Sequence, residues 1–167
     1  LGASRWEDTL DDSSMTMVDV GQGQSILLRS GDDLYLVDCG GDTDETCADT
    51  IAEHLLSRGI DHLDGIILTH TDRDHAGALE NLLTRIEADK VYYPATAEDV
   101  PDCRCPVVSV TDDRKISVDG GEITIFGPAN LGNDNENSLC VLFETENCAY
   151  IIKNPIGLLL CHYSMLL

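Results

Sequence analysis

The residues best suited to chemistry in this sequence lie together in the segment Thr69–His75. Two imidazoles, from His70 and His75, stand beside two carboxylates, from Asp72 and Asp74. Imidazole nitrogen and carboxylate oxygen suit zinc, manganese or iron, so the segment is a candidate site for one or two divalent metal ions. The alternative is a solvated acidic loop with structural histidines, and the spacing alone leaves that alternative open.

The elements on either side of this segment place it at the carboxyl end of a strand. Residues Gly65–Thr69 form a short apolar run, too short for a helix, which predicts a buried strand. After His75, apolar residues recur at helical spacing over Ala76–Arg85 and predict a helix. Because open α/β sheets bind their ligands where strands end and helices begin, the local pattern supports the metal-binding interpretation.

The rest of the chain predicts an α/β domain in which sheet and helices alternate. It opens with a β-meander, since Gly31 and the turn residues Asp32-Asp33 separate two of its strands. An amphipathic helix is predicted at Ala48–Arg58, with Gly59 as its stop. Further strands are predicted at Met15–Val20, Ser25–Arg29, Leu34–Val37, Val91–Tyr93, Val107–Val110, Lys115–Val118, Glu122–Phe126, Leu139–Glu144 and Cys148–Ile152.

The charge of the chain limits its partners. It carries 10 Lys and Arg against 31 Asp and Glu, a formal net charge of -21. The bare protein should therefore repel DNA, RNA and anionic membranes, and an anionic substrate would need a bound cation. No transmembrane span is predicted, because the apolar stretch Gly157–Leu167 is too short to cross a bilayer.

The chain has seven cysteines. Since they are odd in number and include no CxxC pair, they predict neither a zinc ribbon nor a complete disulfide framework. Cys103-Arg-Cys105 is too short a pattern to be assigned to a metal site or a disulfide. We interpret most of the cysteines as small buried apolar side chains in a reducing setting.

A second metal pattern lies further along the chain. Asn133, Asn135, Asn137 and Glu144 have the spacing of ligands in a calcium-binding loop. Ser138, however, stands where that loop requires glycine. We interpret this segment as a polar turn that leads into a strand.

Several segments, in order along the chain, resemble those of a known family. His70–Gly77 resembles the HxHxDH signature of the metallo-β-lactamase superfamily, with Asp72 in place of the second histidine. Met17–Leu27 is similar to a DVGQGDS opening, Leu36–Gly41 to LIDGG, and Asn135–Leu142 to NNxSLVL. With the Asp-containing motif, these segments resemble a domain of the bacterial competence DNA-internalisation (ComEC-type) protein and its stand-alone relatives.

This resemblance implies an α/β fold of the metallo-β-lactamase type, an αββα sandwich, of which the chain carries an incomplete, N-terminal part. It implies an irregular segment 1–14, a partial domain 15–152 and an atypical tail 153–167. In the family a Gly-Asp pair and later histidines complete the metal site, and none stands where expected here. His162 lies in a segment faintly similar to the distal HHGS-like motif and is a weak candidate ligand.

The resemblance also implies roles for individual residues. It makes His70 and Asp72 ligands of a first metal. Asp74 and His75 become ligands of a second metal or a base beside it, and Asp74 is the candidate to orient an attacking water. Zinc or manganese is the implied cofactor, and the hard oxygen of Asp72 shifts the preference from zinc toward manganese or magnesium.

The implied activity is that of a nuclease that degrades one DNA strand during uptake. DNA would be the substrate and a membrane channel domain of the same parent protein a partner. The location is the extracytoplasmic face of the membrane if the chain belongs to a competence channel, and otherwise the cytoplasm. Asp19 and Asp38 would support the metal-binding loop.

The residues alone support only a metal-dependent hydrolase, so a small ester, thioester or cyclic phosphodiester is an open alternative substrate. A truncated remnant without catalysis is a third interpretation, based on the unusual tail. With the distal ligands missing, we expect weak metal affinity and no DNA cleavage from this chain alone.

Overall fold

The structure is a computed structural model that describes residues 13–100, 102–128, 137–146 and 148–153, and the backbone of 157–161. Its strands are β1 Ser13–Met17, β2 Ile26–Ser30, β3 Asp33–Val37, β4 His62–Leu63, β5 Gly65–Ile67, β6 Glu87–Ala88, β7 Val91–Pro94, β8 Val107–Val110, β9 Arg114–Val118, β10 Gly121–Phe126, β11 Cys140–Thr145, β12 Ala149–Lys153 and β13 Gly157–Cys161. Its helices are α1 Asp44–Leu56, α2 Arg73–Ala76 and α3 Leu79–Leu82.

The first sheet has six strands in the order β1-β2-β3-β5-β7-β8. Strands β1 to β3 form the predicted antiparallel meander. Strands β3, β5, β7 and β8 are parallel, so their carboxyl ends meet at one edge of the sheet. Asp38 follows β3 at that edge, and Thr69 and His70 follow shortly after β5.

The second sheet has five antiparallel strands in the order β13-β12-β11-β10-β9. Part of the tail that the sequence marks as atypical therefore continues this sheet, because β13 pairs with β12. Strands β4 and β6 form a separate parallel pair that the sequence does not predict. Residues 1–12, Asn133, Asn135 and His162 lie outside the described residues.

Alternate side chains of the first sheet enter two different cores. Leu36 packs in a core shared with α1 and α3, whereas Val37, the next residue, packs in a core shared with the second sheet. This alternation follows from the two-residue period of a strand. In the part of the chain that the structure describes, the layers are therefore helices, sheet and sheet, as an incomplete αββα sandwich requires.

Helix α1 begins earlier than the apolar spacing predicts. Thr43 caps it, since its hydroxyl accepts a hydrogen bond from the Thr46 amide at 3.2 Å. Ile51 and Leu55 are fully buried against the first sheet. The helix ends before Gly59, whose φ of 75° is the left-handed conformation that glycine favours. Among the described helices, none is both long and apolar enough to span a membrane.

The single helix predicted at Ala76–Arg85 is wrong. The chain instead forms α2 and α3, each of 4 residues, and α2 already begins inside the candidate metal loop. The Ala78 amide donates to the Cys39 carbonyl at 2.9 Å, and the Asp74 carbonyl accepts from the Gln24 amide at 3.1 Å. These hydrogen bonds to neighbouring loops replace the one from the Ala78 amide to the Asp74 carbonyl that a continuous helix would contain.

Candidate metal centre

The structure brings three of the four predicted ligands together. One ligand atom from each of His70, Asp74 and His75 lies within 4.8 Å of the others. His70 and His75 are only 3% and 6% exposed, and their ring centroids are 3.8 Å apart. The Asp74 side chain is 58% exposed, and its Oδ2 lies 3.4 Å from His75 Nε2. The cluster thus consists of two buried imidazoles and one carboxylate that is exposed to solvent.

Asp72, the fourth predicted ligand, lies beside this cluster. Its Oδ2 is 3.5 Å from His70 Nε2, and its side chain is 49% exposed. Asp72 occupies the N-cap of α2, but its side chain makes no capping hydrogen bond. Its carboxylate therefore lies next to His70 and is not bonded to the amides of the helix that follows.

Asp38 connects the loop after β3 to the candidate ligands. Its carboxylate is fully buried and accepts hydrogen bonds from the Thr69 amide and the Thr69 hydroxyl, both at 2.7 Å. The same carboxylate accepts from Gln24 Nε2 at 3.0 Å and lies 2.8 Å from His75 Nδ1. A carboxylate at Nδ1 orients the imidazole and leaves Nε2 as the ligand atom, which is the usual arrangement around protein metals.

The backbone at Asp38 is unusual for a residue with a side chain. Its φ is 61°, in the left-handed region that favours glycine. The Asp38 amide donates to the Ile67 carbonyl at 2.9 Å. Such backbone conformations persist where the surroundings hold them, and here the polar contacts of the carboxylate do so.

Gly40 allows the loop after β3 to pass directly against α2. A Cβ at this position would lie 2.2 Å from both the carbonyl carbon of Asp74 and the amide nitrogen of His75. The neighbouring Cys39 amide donates to the His75 carbonyl at 2.7 Å. Only a residue without a side chain permits this approach, so Gly40 helps to set the position of two candidate ligands.

Asp19, the other residue expected to support the loop, is exposed and acts less directly. Its carboxylate accepts from the Gly21 amide at 3.3 Å, within the connection between β1 and β2. That connection reaches the metal loop through the Gln24 amide, which donates to the Asp74 carbonyl.

The two histidines have opposite pKa shifts. Burial, with the neighbouring His75, lowers the pKa of His70 below 6.5 despite the nearby carboxylates. Burial also opposes the charge on His75, but the hydrogen bond and charge of Asp38, together with Asp74 and Asp72, outweigh it and raise the pKa of His75 above 6.5. The lowered pKa of His70 keeps its ring neutral, which is the form that binds a cation. A cation at His75 must displace the proton that Asp38 favours.

The donor set fits a divalent metal ion. Bonds of about 2.0–2.2 Å to nitrogen and oxygen place the ligand atoms of one ion roughly 3–4 Å apart. The 3.4 Å between His75 Nε2 and Asp74 Oδ2 and the 3.5 Å between His70 Nε2 and Asp72 Oδ2 lie in that range. The cluster also pairs imidazoles with carboxylates, a combination that suits zinc or manganese.

A groove of about 390 Å³ opens beside the metal loop. Thr71 and Arg73 form one side, and the connection after β7 contributes Val100, which is 60% exposed. Its acidic side chains are Glu80, Asp99 and Asp102. Arg73 is paired with Asp44, at 2.9 Å from Nε to Oδ1, so its charge is already offset.

Comparison with known proteins decides the family. The model of the family described as the Metallo-beta-lactamase superfamily matches residues 18–128, more than half of the chain. This chain belongs to the metallo-β-lactamase superfamily. The matched region contains Asp38, Gly40 and the whole of Thr69–His75. Membership makes a metal-dependent hydrolase plausible. The comparison with curated protein sequences finds no match.

Solved metallo-β-lactamases share the fold. MEM-A1, a subclass B3 enzyme isolated from a soil metagenome library, aligns with a TM-score of 0.62 at 18% identity, over 85% of this chain and 60% of its own. SMB-1 bound to 2-mercaptoethanesulfonate aligns with a TM-score of 0.63 at 18% identity, over 85% and 61%. The metallo-beta-lactamase fold protein YhfI from Bacillus subtilis aligns with a TM-score of 0.59 at 15% identity, over 84% and 62%. The chain thus spans about 60% of the length of these proteins.

Three residues that hold the superfamily loop in place carry little signal in the sequence. The sequence marks Thr69 only as the end of a strand, yet its amide and hydroxyl both bond to Asp38. Gln24 and Gly40 stand out only as parts of matching segments. Gly40 begins a Gly-Gly pair shortly after the predicted strand Leu34–Val37, which is a signal for close backbone approach.

Proposed function

We propose that this protein is a metal-dependent hydrolase that acts on phosphodiesters. The observation that carries the proposal is the cluster of the buried His70 and His75 with the exposed carboxylate of Asp74. Asp38 contacts His75 Nδ1 and so orients its ring. A polar cluster of this kind is costly to bury, and metal binding is a function that repays the cost.

Each residue of the cluster has a distinct part in the proposal. Asp38 holds His75 so that Nε2 points to the same side as Asp74 Oδ2. His70, His75, Asp72 and Asp74 would hold the metal, and Asp74 would also orient the attacking water, because its carboxylate reaches solvent. When bound, a divalent ion supplies Lewis acidity and lowers the pKa of a water molecule.

The phosphodiester preference rests on Asp72. Where most family signatures have a second histidine, this chain offers a carboxylate beside His70 Nε2. Hard oxygen ligands favour manganese or magnesium over zinc, and these ions suit phosphate oxygens as ligands. The negative charge of Asp72 also helps to hold a cation that must in turn attract an anionic substrate.

We further propose a nuclease that acts during DNA uptake, with a membrane channel domain of the same parent protein as partner. This finer proposal rests on the resemblance of the HxDxDH motif and its companion segments to the competence DNA-internalisation family. The family-model match over residues 18–128 includes most of those segments and supports only the superfamily.

A small neutral or cationic ester or thioester is the second candidate substrate. The groove beside the metal loop favours it, because about 390 Å³ suits a small molecule and Glu80, Asp99 and Asp102 repel an extended polyanion. The net charge of -21 acts in the same direction.

The test is hydrolysis by the metal-stripped chain with and without added manganese or zinc. The substrates are bis(p-nitrophenyl) phosphate, p-nitrophenyl acetate, an acyl thioester, and single-stranded and double-stranded DNA. We expect manganese to restore slow hydrolysis of the activated phosphodiester, and Asp74→Asn to reduce it by about 100-fold or more. Hydrolysis of the acetate or thioester alone would favour the small-substrate candidate.

Matched controls separate the site from general effects of substitution. Asp113→Asn removes a carboxylate that accepts from the Gly127 amide, at 3.1 Å, and His62→Gln removes an exposed histidine paired with Asp89. Both variants should keep full activity. Metal binding without hydrolysis of any substrate, or equal hydrolysis by wild type and Asp74→Asn, would reject the hydrolase proposal for this chain.

A further inference from the structure

Two cysteine thiols lie in contact outside the candidate metal centre. Cys103 and Cys105 belong to the connection between β7 and β8, and their Sγ atoms are 3.7 Å apart. Cys103 Sγ also lies 3.4 Å from the Cys105 carbonyl, to which it donates. Cys39 and Cys47, by contrast, are buried in the helix-side core. The Cys103–Cys105 pair is thus a reduced dithiol within reach of solvent.

The separation of the two sulfurs suits chelation better than a disulfide. Two thiolates on one tetrahedral cation, with bonds of about 2.3 Å, stand roughly 3.8 Å apart. A disulfide requires a sulfur separation of about 2.05 Å. The 3.7 Å between Cys103 Sγ and Cys105 Sγ therefore matches a bidentate cation with almost no rearrangement.

Both thiols open onto surface grooves. Cys105 lines a groove of about 480 Å³, and Cys103 lines another of about 240 Å³. The second groove is also lined by the carboxylates of Glu80 and Asp102, which outnumber the one guanidinium there, that of Arg104. A small ion can therefore reach the pair without unfolding the chain.

The surroundings select for a cation with a strong preference for sulfur. In the described part of the chain, no third histidine, cysteine or carboxylate forms a cluster with the two thiols. Burial, with the neighbouring Cys103, raises the pKa of Cys105 to about 11, so a bound cation must displace protons. Hard cations such as magnesium cannot do this at two thiols, whereas soft cations can.

We propose that Cys103 and Cys105 form a two-thiolate binding site for a soft, thiophilic cation of the Cu(I), Zn(II) and Cd(II) class. The site is separate from the His70–His75 cluster and does not depend on the proposed hydrolase function. Binding releases the thiol protons and forms two sulfur–metal bonds without a change of oxidation state. Because the same connection carries Asp99 and Val100, an ion held there would fix one wall of the groove beside the metal loop.

The test is a titration of the fully reduced chain with cadmium chloride, followed by thiolate-to-cadmium charge-transfer absorption. His70→Ala/His75→Ala serves as the background, so that binding at the histidine cluster does not contribute. We expect the absorption to saturate at one equivalent, and Cys103→Ser or Cys105→Ser to weaken binding at least tenfold. Cys140→Ser and Cys148→Ser, at other partly exposed cysteines, should bind as the background does.

A second measurement needs no cysteine variant. The reduced wild-type chain is alkylated with iodoacetamide with and without two equivalents of cadmium, enough for the histidine cluster and the cysteine pair, and the modified cysteines are identified by mass spectrometry. We expect cadmium to protect Cys103 and Cys105 together. Absence of cadmium binding, binding that survives Cys103→Ser/Cys105→Ser, or protection confined to other cysteines would overturn the proposal.

Discussion

At the scale of single residues, Asp38 links the fold to the candidate metal centre. Its carboxylate bonds to the strand end at Thr69 and to the ligand His75 at once. A change at Asp38 should therefore alter both the orientation and the protonation of His75. The sequence placed Asp38 only through a family resemblance, because nothing in the local pattern shows that residues 38 and 75 meet.

Asp38→Asn tests this link. The amide keeps the size of the side chain but removes its charge and presents a donor group, so it no longer holds the His75 Nδ1 proton. We expect manganese or zinc affinity, measured by calorimetry, to fall by about 10- to 100-fold. Asp64→Asn is the matched control, since Asp64 accepts from the Leu34 amide, at 2.8 Å, near the start of β3 and away from the site. Equal affinities in wild type and Asp38→Asn would contradict the role of Asp38.

The two histidines should titrate in a defined order in the metal-free chain. The raised pKa of His75 means that its protonation stabilises the fold below pH 6.5 and that this stabilisation is lost as the pH rises through its folded pKa. The lowered pKa of His70 has the opposite sign, so its contribution is lost as the pH falls from 6.5 through its folded pKa.

NMR titration of the two imidazoles measures this order directly. We expect the His75 signal to move at a higher pH than the His70 signal. His70 titrating above His75 would show that the contact between His75 and Asp38 does not form in solution.

At the scale of elements, the metal loop is held by backbone contacts that periodicity does not reveal. Apolar spacing predicted most strands within one or two residues, because alternation and burial leave a direct mark on the sequence. The same reasoning joined α2 and α3 into one helix, since Ala78, Leu79 and Leu82 do lie on one apolar face. What interrupts the helix is the bond from Ala78 to Cys39, a contact between distant segments.

Gly40→Ala tests how closely the loop after β3 and α2 must approach. The added methyl group would collide with the backbone of Asp74 and His75, so the loop or α2 must shift. We expect a loss of about 1–3 kcal/mol in the free energy of unfolding by urea and a clear loss of metal affinity.

Gly59→Ala provides the comparison for Gly40→Ala. Gly59 also has a demanding backbone, with φ at 75°, but a Cβ there would meet open space. It should cost about 1–2 kcal/mol through backbone strain and leave metal affinity unchanged. Metal binding that is equally strong in Gly40→Ala and Gly59→Ala would contradict a positioning role for Gly40.

At the scale of the whole molecule, the strands were predictable but their division into two sheets was not. Alternation identifies a strand and its buried face, yet it does not name the partner strand. Strand β8 ends the first sheet and β9 begins the second, although only a few residues separate them. The superfamily motif, rather than periodicity, was the observation that predicted the sandwich.

The charge of the whole molecule predicts how it meets DNA. A protein with a net charge of -21 has few Lys and Arg side chains that could neutralise phosphates and release their counterions. We expect the metal-free chain to show negligible affinity for labelled single-stranded DNA in fluorescence anisotropy, and no steep salt dependence between about 50 and 200 mM salt. Added manganese should produce weak DNA binding through the ion held by the cluster of His70, Asp74 and His75 alone.

Variants of the acidic groove can show whether DNA is repelled by the groove carboxylates or by the net charge of the whole chain. Neutralising its carboxylates in Glu80→Gln/Asp99→Asn/Asp102→Asn should raise the manganese-dependent affinity for DNA, because these side chains lie beside the metal loop. The control Asp32→Asn/Glu53→Gln/Asp61→Asn makes the same change in net charge at exposed positions elsewhere. If both variants gain the same DNA affinity, the net charge of the chain limits binding. If only the groove variant gains, the groove is the path by which a substrate reaches His70 and His75. A steep fall of affinity with salt in the wild-type chain would instead show a basic DNA-binding surface, contrary to the charge argument.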